Sequence, residues 1–93
     1  IGFSEGINVS DDPETQFTAA FEHVKNVLAG AGKTMADVVE MTTFHVGLQE
    51  HAGTFMAVKD KYMTAPYPAW TAIGISELFV PGALVEIKVI ATA

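Results

Sequence analysis

Pro81-Gly82-Ala83-Leu84-Val85-Glu86-Ile87-Lys88-Val89-Ile90-Ala91, read together with Tyr67-Pro68-Ala69-Trp70-Thr71-Ala72-Ile73-Gly74, decides the fold. Ala83 to Thr92 reads as the longest strand of the chain, and its two faces differ. Val85, Ile87, Val89 and Ala91 make an unbroken apolar side suited to packing under helices, while Leu84, Glu86, Lys88 and Ile90 face the other way. Trp70 to Ile75 reads as a neighbouring strand. If Thr71, Ile73 and Ile75 also face the helices, then Trp70, Ala72 and Gly74 share the far face with Glu86. A carboxylate among apolar residues is costly unless it is paired, hydrated or used. A second sheet face bearing tryptophan, leucine and isoleucine calls for a protein partner.

Working outward, Asp12-Pro13 opens a helix, with Asp12 able to cap and Pro13 suited to the first helical position. Phe17, Ala20, Phe21, Val24, Val27 and Leu28 then form one apolar stripe at helical period, and Gly30 and Gly32 end it. Thr34-Met35-Ala36-Asp37 reads as a small capped turn into a strand from Val38 to Val46. Its alternation is ambiguous, with Val38, Phe44 and Val46 on one face and Val39, Met41 and His45 on the other, so either face or both can be covered. A second helix is expected over about Glu50 to Met63, with Ala52, Phe55, Met56, Tyr62 and Met63 as its stripe and the stem of Lys59 filling a gap. Pro66 and Pro68 stop it, and Glu77 to Gly82 turns the chain back into the last strand. Ile1-Gly2-Phe3 reads as the tail of a strand already under way. The order strand remnant, helix, strand, helix, strand, strand gives an α+β sandwich with both helices on one sheet face.

Ninety-three residues make one domain, expected to span positions 1–93. The chain is 49% hydrophobic and 17% charged. Ordinary soluble domains carry about a quarter charged residues, so a homo-oligomer hiding a second apolar surface is the expected state. No apolar run approaches the roughly 20 residues that span a bilayer, and no secretion signal is evident, so the expected location is cytoplasmic without membrane association. The absence of cysteine excludes disulfides and thiolate chemistry from these residues. A net charge of −6 with five Lys/Arg argues against nucleic acid as a partner.

The chemistry-bearing residues leave alternatives open. Glu86 is either half of an ion pair with Lys88 or a cross-strand lysine, or a group that positions water or a ligand. Trp70 is either a packing residue or an aromatic wall for an apolar or cationic ligand. His23, His45 and His51 lack metal-like spacing, so no metal or cofactor is expected; His45 reads as a structural histidine that could approach a cleft. Ser4, Ser10 and Ser76 have no nearby His/Asp arrangement, and the methionines Met41, Met56 and Met63 read as core filler.

Asp37-Val38-Val39 entering a strand that ends at Phe44, the helix around Val58 to Tyr62, Pro68-Ala69, and Gly82-Ala83-Leu84-Val85-Glu86-Ile87 with Ile90-Ala91 together resemble the RidA/YjgF family of reactive-intermediate deaminases. Thr42-Thr43-Phe44-His45, Met56-Ala57-Val58-Lys59 and Pro66-Tyr67-Pro68-Ala69-Trp70-Thr71-Ala72 look closest to its YjgH-like branch. The resemblance implies a chorismate-mutase-like α+β fold assembled as a homotrimer, with sheets inward and clefts between subunits. It also implies hydrolysis of small imines and enamines to a carbonyl compound plus ammonia. Glu86 matches the family glutamate that positions water, and Trp70, with Ala69 and Thr71 beside it, occupies the substrate-binding segment. Trp70 stands where the family has an arginine that grips the substrate carboxylate, so activity on 2-imino acids is not expected to carry over. The family's N-terminal strand and the serine-glycine-rich strand after it have no counterpart before Ile1. A non-catalytic trimer that binds a small metabolite or a protein is the competing reading.

Overall fold

The computed structural model describes residues 12–92. The strand tail expected at Ile1-Gly2-Phe3 lies outside them, as do Ser4 and Ser10. The elements run α1 (Pro13–Gly30), a single 3-10 turn (Met35–Asp37), β1 (Val38–Val46), α2 (Leu48–Tyr62), β2 (Ala69–Ile75) and β3 (Val85–Ala91). Two helices cover one face of a three-stranded mixed sheet of order β2-β1-β3, with β1 parallel to β2 and antiparallel to β3.

Local chemistry accounts for the first helix. The Asp12 carboxylate accepts from the Thr15 hydroxyl at 2.7 Å and from its backbone N–H at 3.0 Å, and these two bonds, the hydroxyl's first, hold its pKa below the usual carboxylate value. At the other end Lys33 N–H reaches the Leu28 carbonyl and Gly32 N–H the Ala29 carbonyl, with Gly32 at φ +74°. That double closure needs a left-handed residue, which glycine adopts without strain, so Gly32 is the terminator and Gly30 is the last helical residue. Phe17, Ala20, Phe21, Val24 and Leu28 are buried as the stripe requires, whereas Val27 is 60% exposed.

The capped turn is also present: Thr34 N–H donates to Asp37 Oδ2 at 2.8 Å and starts β1 in register. The second helix begins two residues earlier than expected. Its N-cap is Gly47 at φ +71°, with no side chain to mark the boundary in the sequence. Its buried face is Phe55, Val58 and Lys59, while Met56 stands 41% exposed and Met63 is buried just past the helix end.

Phe55 is the hub of the core. Its ring lies 5.3 Å from Phe17, 5.5 Å from Phe21, 4.6 Å from His45 and 5.9 Å from Trp70. Farther along, Phe21 stacks on Tyr62 at 5.2 Å, and the Tyr62 hydroxyl donates to Glu22 at 2.6 Å, locking α2 onto α1. Burial, then the Glu22 carboxylate, pushes that hydroxyl up to about 12. The turn before β3 is tied to α1 by Gln16, whose amide donates to the Gly82 carbonyl and accepts from Leu84 N–H, both at 2.8 Å.

Strand faces separate sharply. On the helix side β1 presents Met41, Thr43 and His45, each at most 1% exposed. On the open side it presents Glu40, Thr42, Phe44 and Val46. An irregularity in pairing between Val38 and Glu40 buries Val38 with the helix-side set, so the expected grouping of Val38 with Phe44 and Val46 is corrected. Two further expectations change. Trp70–Ile75 and the last strand are not neighbours, because β1 lies between them. Trp70 also turns toward the helices, with Thr71 and Ile73 exposed on the open side. The last strand does sort as expected: Val85, Ile87, Val89 and Ala91 pack on the core, and Glu86, Lys88 and Ile90 face away.

Candidate functional site

Strand register places the residues of interest on two surfaces. On the open face three rows run across β2, β1 and β3: Ala69–Glu40–Ile90, Thr71–Thr42–Lys88, and Ile73–Phe44–Glu86. Glu86, Thr71 and Ala69 therefore share this face. Trp70 lies in the row Trp70–Met41–Val89 on the opposite, helix-covered side. The expected meeting of Glu86 and Trp70 on one sheet face is thereby overturned for a single chain.

Trp70 is held by three contacts. Its ring stacks on Phe55, its Nε1–H donates to Thr43 Oγ1 at 3.0 Å, and the Lys59 ammonium lies 4.9 Å from its centroid. Lys59 is only 8% exposed, sits 5.3 Å from the Tyr67 ring and 3.5 Å from Asp60 Oδ1. Indole and phenol faces partly replace the water that a buried ammonium loses. Of the two readings of Trp70, packing is the one this geometry supports.

Glu86 is solvent-exposed, so the buried appearance of this carboxylate in the sequence is corrected. Nor is there an ion pair with Lys88: the side-chain salt bridges among the described residues are His51–Glu50, Lys59–Asp60 and Lys61–Glu14. Glu86 is an unpaired carboxylate flanked by Phe44 and the exposed Ile73 across the sheet. A groove of about 370 Å³ runs alongside, between Val24, Val27 and Leu28 of α1 and Glu86 to Val89 of β3, with His23 at its rim. Lys88, one row from Glu86, is the basic group of the open face, a ligand-binding candidate that only the strand register brings beside Glu86. These 93 residues include no arginine.

His45 is 1% exposed, with Nε2 2.7 Å from Thr43 Oγ1. Burial holds its pKa below the ordinary histidine value of 6.5. A folded-state pKa below the unfolded one means that the unfolded chain takes up the proton first. The stability attached to neutral His45 is therefore complete above about pH 6.5 and declines as pH falls below it. Urea midpoints should drop between about pH 7.5 and 5.5 in the wild type, and less in His45→Phe.

Among the described residues, no group of three or more His, Cys, Asp or Glu side chains is placed to hold a metal ion, and no helix is long and apolar enough to cross a membrane.

Two helices on one face of a β2-β1-β3 sheet, with an open face carrying an unpaired glutamate, define a small α+β domain. The sequence matches the family described as Endoribonuclease L-PSP over residues 1–93, and the chain belongs to that family, which includes the YjgF and RidA proteins. It is 37% identical over 92 residues to the RutC family protein YjgH of Escherichia coli (strain K12), covering 98% of this chain and 69% of that protein. It spans 62% of the chain in a solved structure of protein YjgH, with a TM-score of 0.82. RidA from the Antarctic bacterium Psychrobacter sp. PAMC 21119 superposes with a TM-score of 0.90 at 27% identity, over 99% of this chain and 74% of that one.

Proposed function

We propose that this chain works as a cytoplasmic homotrimer that hydrolyses small reactive imines or enamines to a carbonyl compound and ammonia at clefts between subunits. The observation that carries this reading is Glu86: a carboxylate at the family's glutamate position, exposed and without an ion-pair partner, beside an apolar open sheet face. Phe44, Ile73 (39% exposed) and Ile90 (47% exposed) support assembly through that face, because they leave apolar area in water when the chain is alone. Covered by a second subunit, Glu86 would hold a water for attack on the imine carbon and accept its proton.

Since Trp70 and Glu86 point to opposite sides of one sheet, they can line a common cleft only if two subunits supply them. Thr71 and Ala69, on the same face as Glu86, are the substrate-contacting positions a single chain can offer. With Trp70 at the position of the family's gripping arginine, 2-imino acids should be poor substrates, and imines without a carboxylate the better ones.

Ammonia release from a panel of neutral imines tests the reading. Glu86→Gln keeps the shape and removes the base, so the rate should fall about a hundredfold at unchanged trimer mass. Equal background rates for both proteins across the panel would eliminate hydrolysis.

One observation favours a second reading, a non-catalytic trimer that binds a metabolite or a protein: the position of the gripping arginine is filled by an indole committed to packing. Stabilisation by ligands without turnover would select it. RNA cleavage, which the family's description names, is disfavoured by the net charge of −6, because polyanion binding needs a basic surface.

A further inference from the structure

We infer that the cleft where β1 runs into α2 is a binding subsite for the carbonyl oxygen of a small neutral molecule, with the His45 imidazole as its buried hydrogen-bond donor. The cleft is about 650 Å³ and is bounded by His45, Gly47, Leu48, Glu50, Gly74 and Ser76. It lies at the end of the sheet, with His45 on the face opposite Glu86, and does not depend on the trimer reading.

Proton bookkeeping fixes which nitrogen donates. Thr43 is fully buried, and its hydroxyl has two partners, Trp70 Nε1–H at 3.0 Å and His45 Nε2 at 2.7 Å. Trp70 can only donate, so it occupies a lone pair of Thr43 Oγ1. The Thr43 proton then has one acceptor available, His45 Nε2. A neutral imidazole whose Nε2 accepts carries its own proton on Nδ1.

Nδ1 has no hydrogen-bond partner among the described residues. No fully enclosed side-chain nitrogen or oxygen among them is left unsatisfied, so the trace of surface His45 retains includes Nδ1. The two nitrogens of an imidazole point in nearly opposite directions. With Nε2 engaged by Thr43, Nδ1–H is the donor that His45 has left to offer the cleft it lines.

Besides the acceptor oxygens of Gln49, Glu50 and Ser76, the cleft offers further donors. Helix α2 has 15 residues, and no side chain caps it. Its first intrahelical bond is His51 N–H to the Gly47 carbonyl, which leaves the Leu48, Gln49 and Glu50 amides unfilled. A convergent set of donors selects an acceptor oxygen. The charged groups facing it are Glu50, mostly exposed and 3.6 Å from His51 Nε2, and the −6 of the whole chain; both disfavour a carboxylate relative to a neutral carbonyl. Gly74 keeps the floor open: a Cβ there would lie 3.5 Å from Leu48 Cβ, in ordinary contact, so a branched side chain would fill the space.

Acetamide is the probe, with acetate as the charged control, followed by backbone and imidazole ¹⁵N spectra of the full chain. The expected result is an Nδ1–H tautomer for His45 and saturable acetamide shifts at Leu48, Gln49, Glu50 and Gly74. His45→Phe, which keeps a ring against Phe55, should weaken binding about fivefold, the loss of one neutral hydrogen bond. Gly74→Val should abolish it while leaving His45 in place. A proton on Nε2, the absence of saturable shifts, undiminished affinity in either variant, or tighter binding of acetate than of acetamide would overturn the assignment.

Discussion

Phe55→Ala should lower the unfolding free energy by about 3–5 kcal/mol, the range for truncating a large buried aromatic. Phe55 is 1% exposed and joins both helices to the sheet through Phe17, Phe21, His45 and Trp70. Those partners come from three separate elements that cannot all close on one vacancy, so a cavity should remain. A domain of this size has about 5–15 kcal/mol in total, so the substitution should remove a large fraction of its stability. Urea denaturation followed by Trp70 fluorescence measures it directly. A loss below about 1 kcal/mol would show that the ring is not the hub this packing describes.

Trp70→Arg is the second. On sequence alone it looks like a restoration of the family's carboxylate grip. In the structure it removes the stack on Phe55 and sets a guanidinium beside the Lys59 ammonium, which lies 4.9 Å from the present ring. The lost packing and the like-charge contact together should cost about 3 kcal/mol. Lys59→Met in the same background should recover part of that loss, because it removes the repulsion and keeps an apolar stem. Activity on 2-imino acids should appear only if the new guanidinium reaches a cleft completed by a second subunit. A Trp70→Arg protein as stable as wild type would contradict the placement of Trp70 against α2.

Much of the fold was legible because its signals are local. Asp12-Pro13 and the Phe17–Leu28 stripe specified α1 almost to the residue, and Thr34 to Asp37 marked the entry to β1. The alternation of Val85 to Ala91 gave the correct buried side. The start of α2 was missed because Gly47 caps without a side chain. Met56 was misplaced and Val58 overlooked because in a helix the choice between adjacent positions depends on which direction the sheet lies.

The candidate site was half legible. Glu86 stood out as one carboxylate in an apolar strand, and its outward direction followed from the side of Val85 and Ile87. The direction of Trp70 did not follow. Ala69 to Ile75 is apolar on both sets of alternating positions, and a one-residue shift exchanges its faces. Likewise the Trp70–Thr43–His45 network joins residues 27 positions apart and has no sequence signal.

What the chain's own order of residues determined is the class of fold: periodicity, capping and turn chemistry are properties of neighbours along the backbone, and they specify two helices and three strands without reference to anything distant. What only the tertiary structure decided is which side of the sheet each ambiguous strand turns toward the helices, that β1 separates β2 from β3, and hence that the indole serves the core while the carboxylate meets solvent. Those outcomes depend on where the bulky ring of Phe55 finds its partners, a choice made by packing in three dimensions.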